Sequence, residues 1–299
     1  MRFKKMGILY MAGLALTLVG CSAMSGASEE TSTYIQIVGL DELGEVQVIS
    51  REVGSGTRSA FAQMAGFEQS GKDTAKPDLT KEDAQIANNA EEVIQAVEKD
   101  SSAVGYVSKG AITDALEVKE LSVNGIGIDS KGGGYPLSRS FYLAYSGKLT
   151  DLEQDFLTYI HSAGQEIVGK SFVPIAKSNT FLSNKASGEI NITGSTSVAP
   201  LMEELVAEYM KLNPNAVIQV TESDSSDGLT KAMSEECDFG MSSRELKDYE
   251  KELLDYEVIA NDDIAVIVNT GNPLQDITLS QLKSIYTGNI VKWEELNEK

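Results

Sequence analysis

The sequence predicts an α/β fold, and three observations carry that prediction. Short β-branched runs alternate with helix-patterned stretches along most of the chain. Segments rich in Gly, Ser and Thr stand between the end of such a run and the start of the next helical stretch. The 299 residues suffice for two lobes of ordinary domain size. Alternation of this kind favours mostly parallel sheets, whose ligands bind in loops beyond the C-terminal ends of the strands.

In order along the chain, Val46, Val48 and Ile49 mark a strand over 45–50, and 57–65 and 90–98 read as helices. Ala103 to Val107 is a short buried strand, 140–144 is extended and aromatic, and 152–167 is helical. A strand over 189–193 leads into a strongly amphipathic helix over 197–212. A strand over 216–221 and a helix over 227–233 come next. Strands at 258–260 and 264–269 and helical stretches at 279–286 and 291–296 close the series. Phe172 to Gly188, with Pro174, Ser178, Asn179, Asn184 and Ser187, has the composition of a connector between two halves.

The first residues read as an export signal. Arg2, Lys4 and Lys5 precede an apolar run from Gly7 to Val19 that is too short for a comfortable membrane span. The run ends in Leu18-Val19-Gly20-Cys21, which is similar to bacterial lipoprotein signals, whose cysteine is acylated and becomes residue one. Residues 1–20 are therefore assigned to the signal, and 21–34, mostly small and polar, to a flexible lipidated tether. Stable anchoring takes more than one acyl chain. With Cys21 lipidated, only Cys237 remains as a thiol, so no intrachain disulfide is expected; Cys237 is expected to be packed rather than reactive.

The formal net charge is −20, and loss of the signal removes three cations and no acid. Nucleic acid and anionic membrane surfaces are thereby poor partners. Anion capture is not excluded, because it needs only a small pocket of inward-pointing N–H groups, and salt screens surface charge within ~8 Å.

Four segments carry candidate chemistry. The first is Ser50-Arg51-Glu52-Val53-Gly54-Ser55-Gly56-Thr57-Arg58, after a strand and before a helix. Its glycines allow close backbone approach, Ser55 and Thr57 offer hydroxyls, the helix start offers free N–H groups, and Arg51 offers a bidentate guanidinium. That is a complete oxyanion cradle, although a capped Gly-rich turn with solvated arginines uses the same residues. The second is Thr193-Gly194-Ser195-Thr196-Ser197-Val198-Ala199-Pro200, which alone is an ordinary helix cap. The third, Glu222-Ser223-Asp224-Ser225-Ser226-Asp227-Gly228, and the fourth, Gly240-Met241-Ser242-Ser243-Arg244-Glu245, also lie at strand ends entering helices.

Together these segments resemble the phosphate-binding protein family of bacterial phosphate ABC importers (PstS-like, with a type II periplasmic-binding fold), over nearly all of the body. Ala103-Val104-Gly105-Tyr106 and Ile285-Tyr286-Thr287-Gly288 with Trp293 belong to the same resemblance. The order of segments differs: in the family the Gly-Ser-Thr-Ser turn lies near the start, whereas here the Arg51 loop comes first. This looks like a circular permutation, with the family's ends joined near 175–190 and a break opened between Trp293 and Val46. A truncated tandem is the alternative, disfavoured because each motif occurs once.

The resemblance implies a two-lobed α/β protein, with one lobe continuous over 113–269 and the other split between 35–112 and 270–299. It carries the phosphate contacts onto Arg51, Ser55, Gly56, Thr57, Thr196, Ser197 and Ser225. Ser243 is added where some members place an aspartate that accepts the ligand proton. Many members also hold an acid two residues after the binding arginine, a position filled here by Val53. Acceptor duty passes to Asp224 or Asp227, or is missing. A site without a buried acceptor would not penalise an unprotonated anion such as sulfate. The implied partners are inorganic phosphate and an ABC permease with cytoplasmic ATPase subunits. The implied protein is a monomer on the extracytoplasmic face of the cell membrane, held by its lipid anchor and needing no cofactor.

Other readings weigh less. Gly164 to Ser171 fits the phosphate-loop pattern G-x-x-x-x-G-K-S, but it follows a helix and Pro174 lies three residues on. His161 is the only histidine, no Gly-x-Ser-x-Gly elbow surrounds Ser55, and no Cys/His cluster suggests a metal, so an enzyme is not expected. The alternatives kept are a binder of another tetrahedral oxyanion (sulfate, molybdate or tungstate) and a surface sensor or adhesin that retained the fold.

Overall fold

In the computed structural model, residues 39–68, 78–113, 116–128 and 134–298 are described. The signal, Cys21 and the tether lie outside the described residues. The predicted alternation is present: β1 (Gln47–Arg51), α1 (Gly56–Ala65), β2 (Gln85–Ala87), α2 (Ala90–Lys99), β3 (Ala103–Ser108), β4 (Val118–Glu120) and β5 (Ser122–Val123). Next come β6 (Ser138–Tyr145), α3 (Asp151–Ile160), α4 (Gln165–Val168), β7 (Gly188–Ser195), α5 (Ala199–Leu212), β8 (Ala216–Ser223) and α6 (Ser225–Met233). The chain closes with β9 (Phe239–Ser242), α7 (Asp248–Leu253), β10 (Asp255–Asn269), β11 (Asp276–Ile277), α8 (Leu279–Tyr286) and a 3-10 turn over Trp293–Glu298.

The sheet is mixed rather than mostly parallel. Its strands run β2-β1-β3-β10-β6-β9-β7-β8, with β4 also on β10. Both flanks are parallel, β2-β1-β3 on one side and β9-β7-β8 on the other. The middle is antiparallel because the two strands expected at 258–260 and 264–269 are one strand, β10. Its first part pairs with β6 and its last part with β3, with a bulge between Val258 and Ala260. The helix expected over 152–167 is broken, α3 ending at Ile160 and α4 running only over Gln165–Val168. The phosphate-loop look-alike therefore sits on a helix that follows a helix, as its context predicts.

Two large apolar bodies, with two smaller clusters beside them, are strung on this sheet. One joins Phe141, Leu143, Phe156, Ile192, Leu205 and Ile259 within the continuous stretch of chain. The other joins Val46, Phe61, Tyr106, Leu137, Val266, Tyr286 and Trp293, drawn from both ends. Leu121, Val123, Tyr135 and Leu137 belong to this split body. Residues 121–123 and 135–137, expected in the continuous lobe, therefore pack with the split body, and the core changes over near 137–141 and 260–264. The cause is pairing: β4 lies on the last part of β10, and Leu121 N–H donates to Val266 O.

The segments on either side of the expected break meet. Val46 N–H donates to Val291 O at 2.9 Å, and Trp293 N–H to Gly44 O at 3.1 Å. Trp293 itself is buried, its indole donating to Ser102 O. Cys237 is buried too, and burial pushes its thiol up to about 11, so it is a packing residue. Among the described residues, no helix is long and apolar enough to cross a membrane.

Candidate anion site

β1 delivers Arg51 to the end of the strand, and the chain then turns through Gly54 into α1. Ser55 caps that helix, accepting from Arg58 N–H at 3.3 Å. The backbone of Arg51 is held by Tyr106, whose hydroxyl accepts from Arg51 N–H and lies 3.0 Å from Ser50 Oγ. The Arg51 side chain is 2% exposed. Its Nε and Nη2 donate to the two carboxylate oxygens of Glu52, each at 2.8 Å, and Nη2 also reaches Asn88 O. The acid that orients the arginine is thus its immediate neighbour. Val53, where the family resemblance places an acid, is 49% exposed.

The second wall comes from the continuous body. β7 ends at Ser195, and Thr196 and Ser197 lead into α5. Arg51 Nη2 donates to Thr196 Oγ1 at 3.0 Å, and Thr57 Oγ1 lies 2.8 Å from Ser197 Oγ. Ser225, at the start of α6, and Ser243, after β9, are fully buried. Ser243 N–H donates to Ser225 Oγ at 3.1 Å, and Ser195 Oγ–H donates to Ser243 Oγ at 2.9 Å. The hydroxyl-bearing residues expected to share one site are therefore within a few hydrogen bonds of one another. Past Thr196 and Ser197 the cleft continues into a cavity of about 120 Å³, bordered by Ser108, Phe172 and Leu201.

Two glycines are required by the closeness of the walls. A Cβ on Gly56 would stand 2.2 Å from Ser225 Oγ and 2.6 Å from Ser243 Oγ. Gly54 has φ +103°, and a Cβ there would meet the Asp224 carboxylate at 2.7 Å. The starts of α1, α5 and α6 all supply residues to this cluster, so their amide dipoles add to the guanidinium in favouring an anion.

The two carboxylates considered as proton acceptors have other work. Asp224 Oδ1 caps α6, accepting from Ser226 and Asp227 N–H at 2.8 and 2.9 Å. Asp227 pairs with Lys231 one turn on, and that hydrogen bond holds its carboxyl below the usual range.

A second buried guanidinium reaches the cluster. Arg139 on β6 donates from Nε and Nη2 to Asp262 Oδ2 at 3.0 and 2.8 Å, and from Nη1 to Thr57 Oγ1 at 2.8 Å and Ser243 O at 3.0 Å. Ser108 Oγ–H donates to the other Asp262 oxygen. Burial pushes the Asp262 carboxyl above its ordinary value and the Arg139 guanidinium below its own, and their mutual attraction offsets part of both shifts. Sequence reasoning passed over this pair. Its only signal was a charge in a short polar break between apolar strand residues, in Leu137-Ser138-Arg139-Ser140-Phe141 and Ala260-Asn261-Asp262-Asp263-Ile264. Two further buried pairs support the walls: Arg58 with Asp78 beside Arg51, and Arg244 with Glu250 beside Ser226.

The PBP superfamily domain matches residues 179–299. Phosphate-binding protein PstS 2 of Streptococcus pneumoniae serotype 4 is 37% identical over 99% of this chain and 100% of its own length. PstS 2 of Streptococcus agalactiae serotype V is 34% identical over 99% of both chains. The PstS of Bacillus subtilis aligns over only 38% of this chain and 39% of its own, at 34% identity. Among solved structures, the phosphate-binding protein of a phosphate ABC transporter from S. pneumoniae TIGR4 superposes with TM-score 0.70 at 38% identity, covering 84% of this chain and 99% of that one. With a described α/β fold and end-to-end likeness of this degree, the chain belongs to the PstS family of phosphate-binding proteins.

Proposed function

We propose that this protein captures phosphate between its two apolar bodies and hands it to an ABC permease powered by cytoplasmic ATPase subunits. The observation that carries this reading is the hydrogen bond from the buried Arg51 guanidinium to Thr196, 145 residues away, with Thr57 facing Ser197 beside it. Oxyanion donors from distant loops converge there, with three helix starts behind them. Arg51, Ser55, Gly56 and Thr57 form one wall of the site, and Thr196, Ser197, Ser225 and Ser243 the other. Charge-assisted hydrogen bonds of about 1.5–3 kcal/mol each dominate the affinity. The lobes divide at the changeovers in the core, and their closure is a hinge motion of β6 and β10. The protein acts as a lipid-anchored monomer on the extracytoplasmic face, tethered through Cys21, and is not an enzyme.

The segment order is that of a circular permutation within the family. Two observations support this: the hydrogen-bonded meeting of 44–46 with 291–293, and the contrast between end-to-end alignment with the streptococcal PstS 2 chains and partial alignment with the B. subtilis PstS.

Calorimetric titration of the mature protein with phosphate, sulfate, molybdate and tungstate tests the function. One-to-one phosphate binding, clearly tighter than that of the other anions, is expected. Absence of phosphate binding sinks the transport reading and favours a sensor or adhesin. Tighter binding of another oxyanion reassigns the ligand.

A further inference from the structure

Arg139 and Asp262 lie where the chain passes between the two bodies. Arg139 is on β6 just before Phe141, the first buried residue of the continuous core in this strand, and Asp262 is on β10 between Ala260 of that core and Ile264 of the other. Their side chains are 4% and 0% exposed. Asp262 takes two donors of Arg139, Nε and Nη2, on one oxygen, which leaves Nη1 aimed away from the pair. The two hydrogens of Nη1 go to different walls. One meets the Thr57 hydroxyl at the start of α1, in the split body, and the other meets Ser243 O after β9, in the continuous body.

We propose that Arg139 is a closure clamp for the anion site, a positioning residue that spans the cleft and fixes the Thr57 hydroxyl as a donor. This rests on the reading of the cleft as the anion site. A hydroxyl oxygen that accepts from a guanidinium turns its own proton elsewhere. Thr57 then donates toward Ser197, or toward an anion held between them. Both Nη1 bonds form together only while the walls are apposed, so opening the cleft breaks at least one charge-assisted hydrogen bond. Asp262 keeps the clamp neutral overall and holds its plane, as a second partner does for a bidentate guanidinium. A lysine cannot perform this task, because a single ammonium on a flexible stem cannot pair with Asp262 and fork to two walls at once.

The test uses the mature protein, phosphate titration by calorimetry and stopped-flow release. Arg139→Lys retains the charge opposite Asp262 and is expected to melt cooperatively, to bind phosphate about tenfold more weakly and to release it faster. The joint replacement Arg139→Gln with Asp262→Asn, which leaves no unpaired buried charge, is expected to behave alike and serves if the lysine variant does not fold. In a Thr57→Val background, where the span is already cut, either replacement is expected to add less than about twofold. Wild-type affinity and release rate in the folded variants overturn the clamp, as does full multiplication of the Thr57 and Arg139 effects, which would mean direct contact with the anion. If the wild-type chain itself fails to bind phosphate, the functional reading falls instead.

Discussion

The wall that carries Arg51 and the wall that faces it meet the same space with different chemistry. The first brings a buried guanidinium locked to Glu52, together with the start of α1. The second brings the hydroxyls of Ser195, Thr196, Ser197, Ser225 and Ser243, several of them already hydrogen-bonded to one another. A charge held rigidly supplies strength, whereas a set of small hydroxyls supplies fit, since each can turn its proton to suit an oxygen. Strength is therefore concentrated in one side chain and fit is spread over many, so the two walls should respond differently to substitution.

The largest effect is expected from Arg51→Ala. It removes the charge while leaving the half-buried Glu52 within reach of water, so phosphate affinity should drop about 100-fold or more with little change in melting temperature. Unchanged affinity in calorimetry would show that the first wall does not supply the strength. Next comes Gly56→Ala, which breaks the fit without touching the charge. Its Cβ would press on Ser225 and Ser243 and hold the walls apart, costing about 1–3 kcal/mol of closure. Affinity should fall roughly ten- to a hundredfold, and small-angle scattering with phosphate present should report a more open particle.

A third test compares the pairs that brace each wall. For Asp78, burial alone would raise the carboxyl, but hydrogen bonds from Arg58 and Thr80 more than offset it and leave it below the usual range. Glu250 follows the same pattern, with Arg244 outweighing burial. Groups whose folded pKa is lowered add stability above the ordinary carboxylate value, and that stability is lost as pH falls through the lower folded value. The melting temperature should therefore decline below about pH 4, and Asp78→Asn should flatten part of that decline. A curve that stays level to about pH 3 would contradict the assignment. The smallest effect is expected from Val53→Asp, which restores an acid two residues after the arginine. Because Glu52 already makes both bonds and Val53 faces solvent, affinity should move by less than about twofold.

Much of this site was legible before any coordinates. Gly, Ser and Thr between a strand and a helix mark the places where backbone amides are free, and Arg51 within one such segment is the cation proposed to meet the anion. The departure at Val53 was legible too, but its resolution was not. Whether an arginine pairs with the next residue or the one after depends on how its side chain leaves the strand, and that is set by Tyr106, Asn88 and Thr196, all distant in sequence. Arg139 and Asp262 were visible only as charges interrupting apolar strands, because 123 residues separate the partners. The continuity of β10 was hidden for a related reason. β10 reads as two strands by composition and becomes one only by pairing with β6 and β3 in succession.

By itself, the sequence determined where most of the helices and strands form, where the helix starts with free amides stand, and which loop carries the arginine proposed to bind the anion. These are local properties, set by side-chain branching, periodicity and capping within a few residues. The tertiary structure alone decided which segments face each other, which acid pairs with Arg51, and that a second buried arginine bonds to both Thr57 and Ser243. Those outcomes depend on long-range strand pairing and on burial, which brings charges as far as 123 residues apart in the chain into a space where only mutual pairing can keep them.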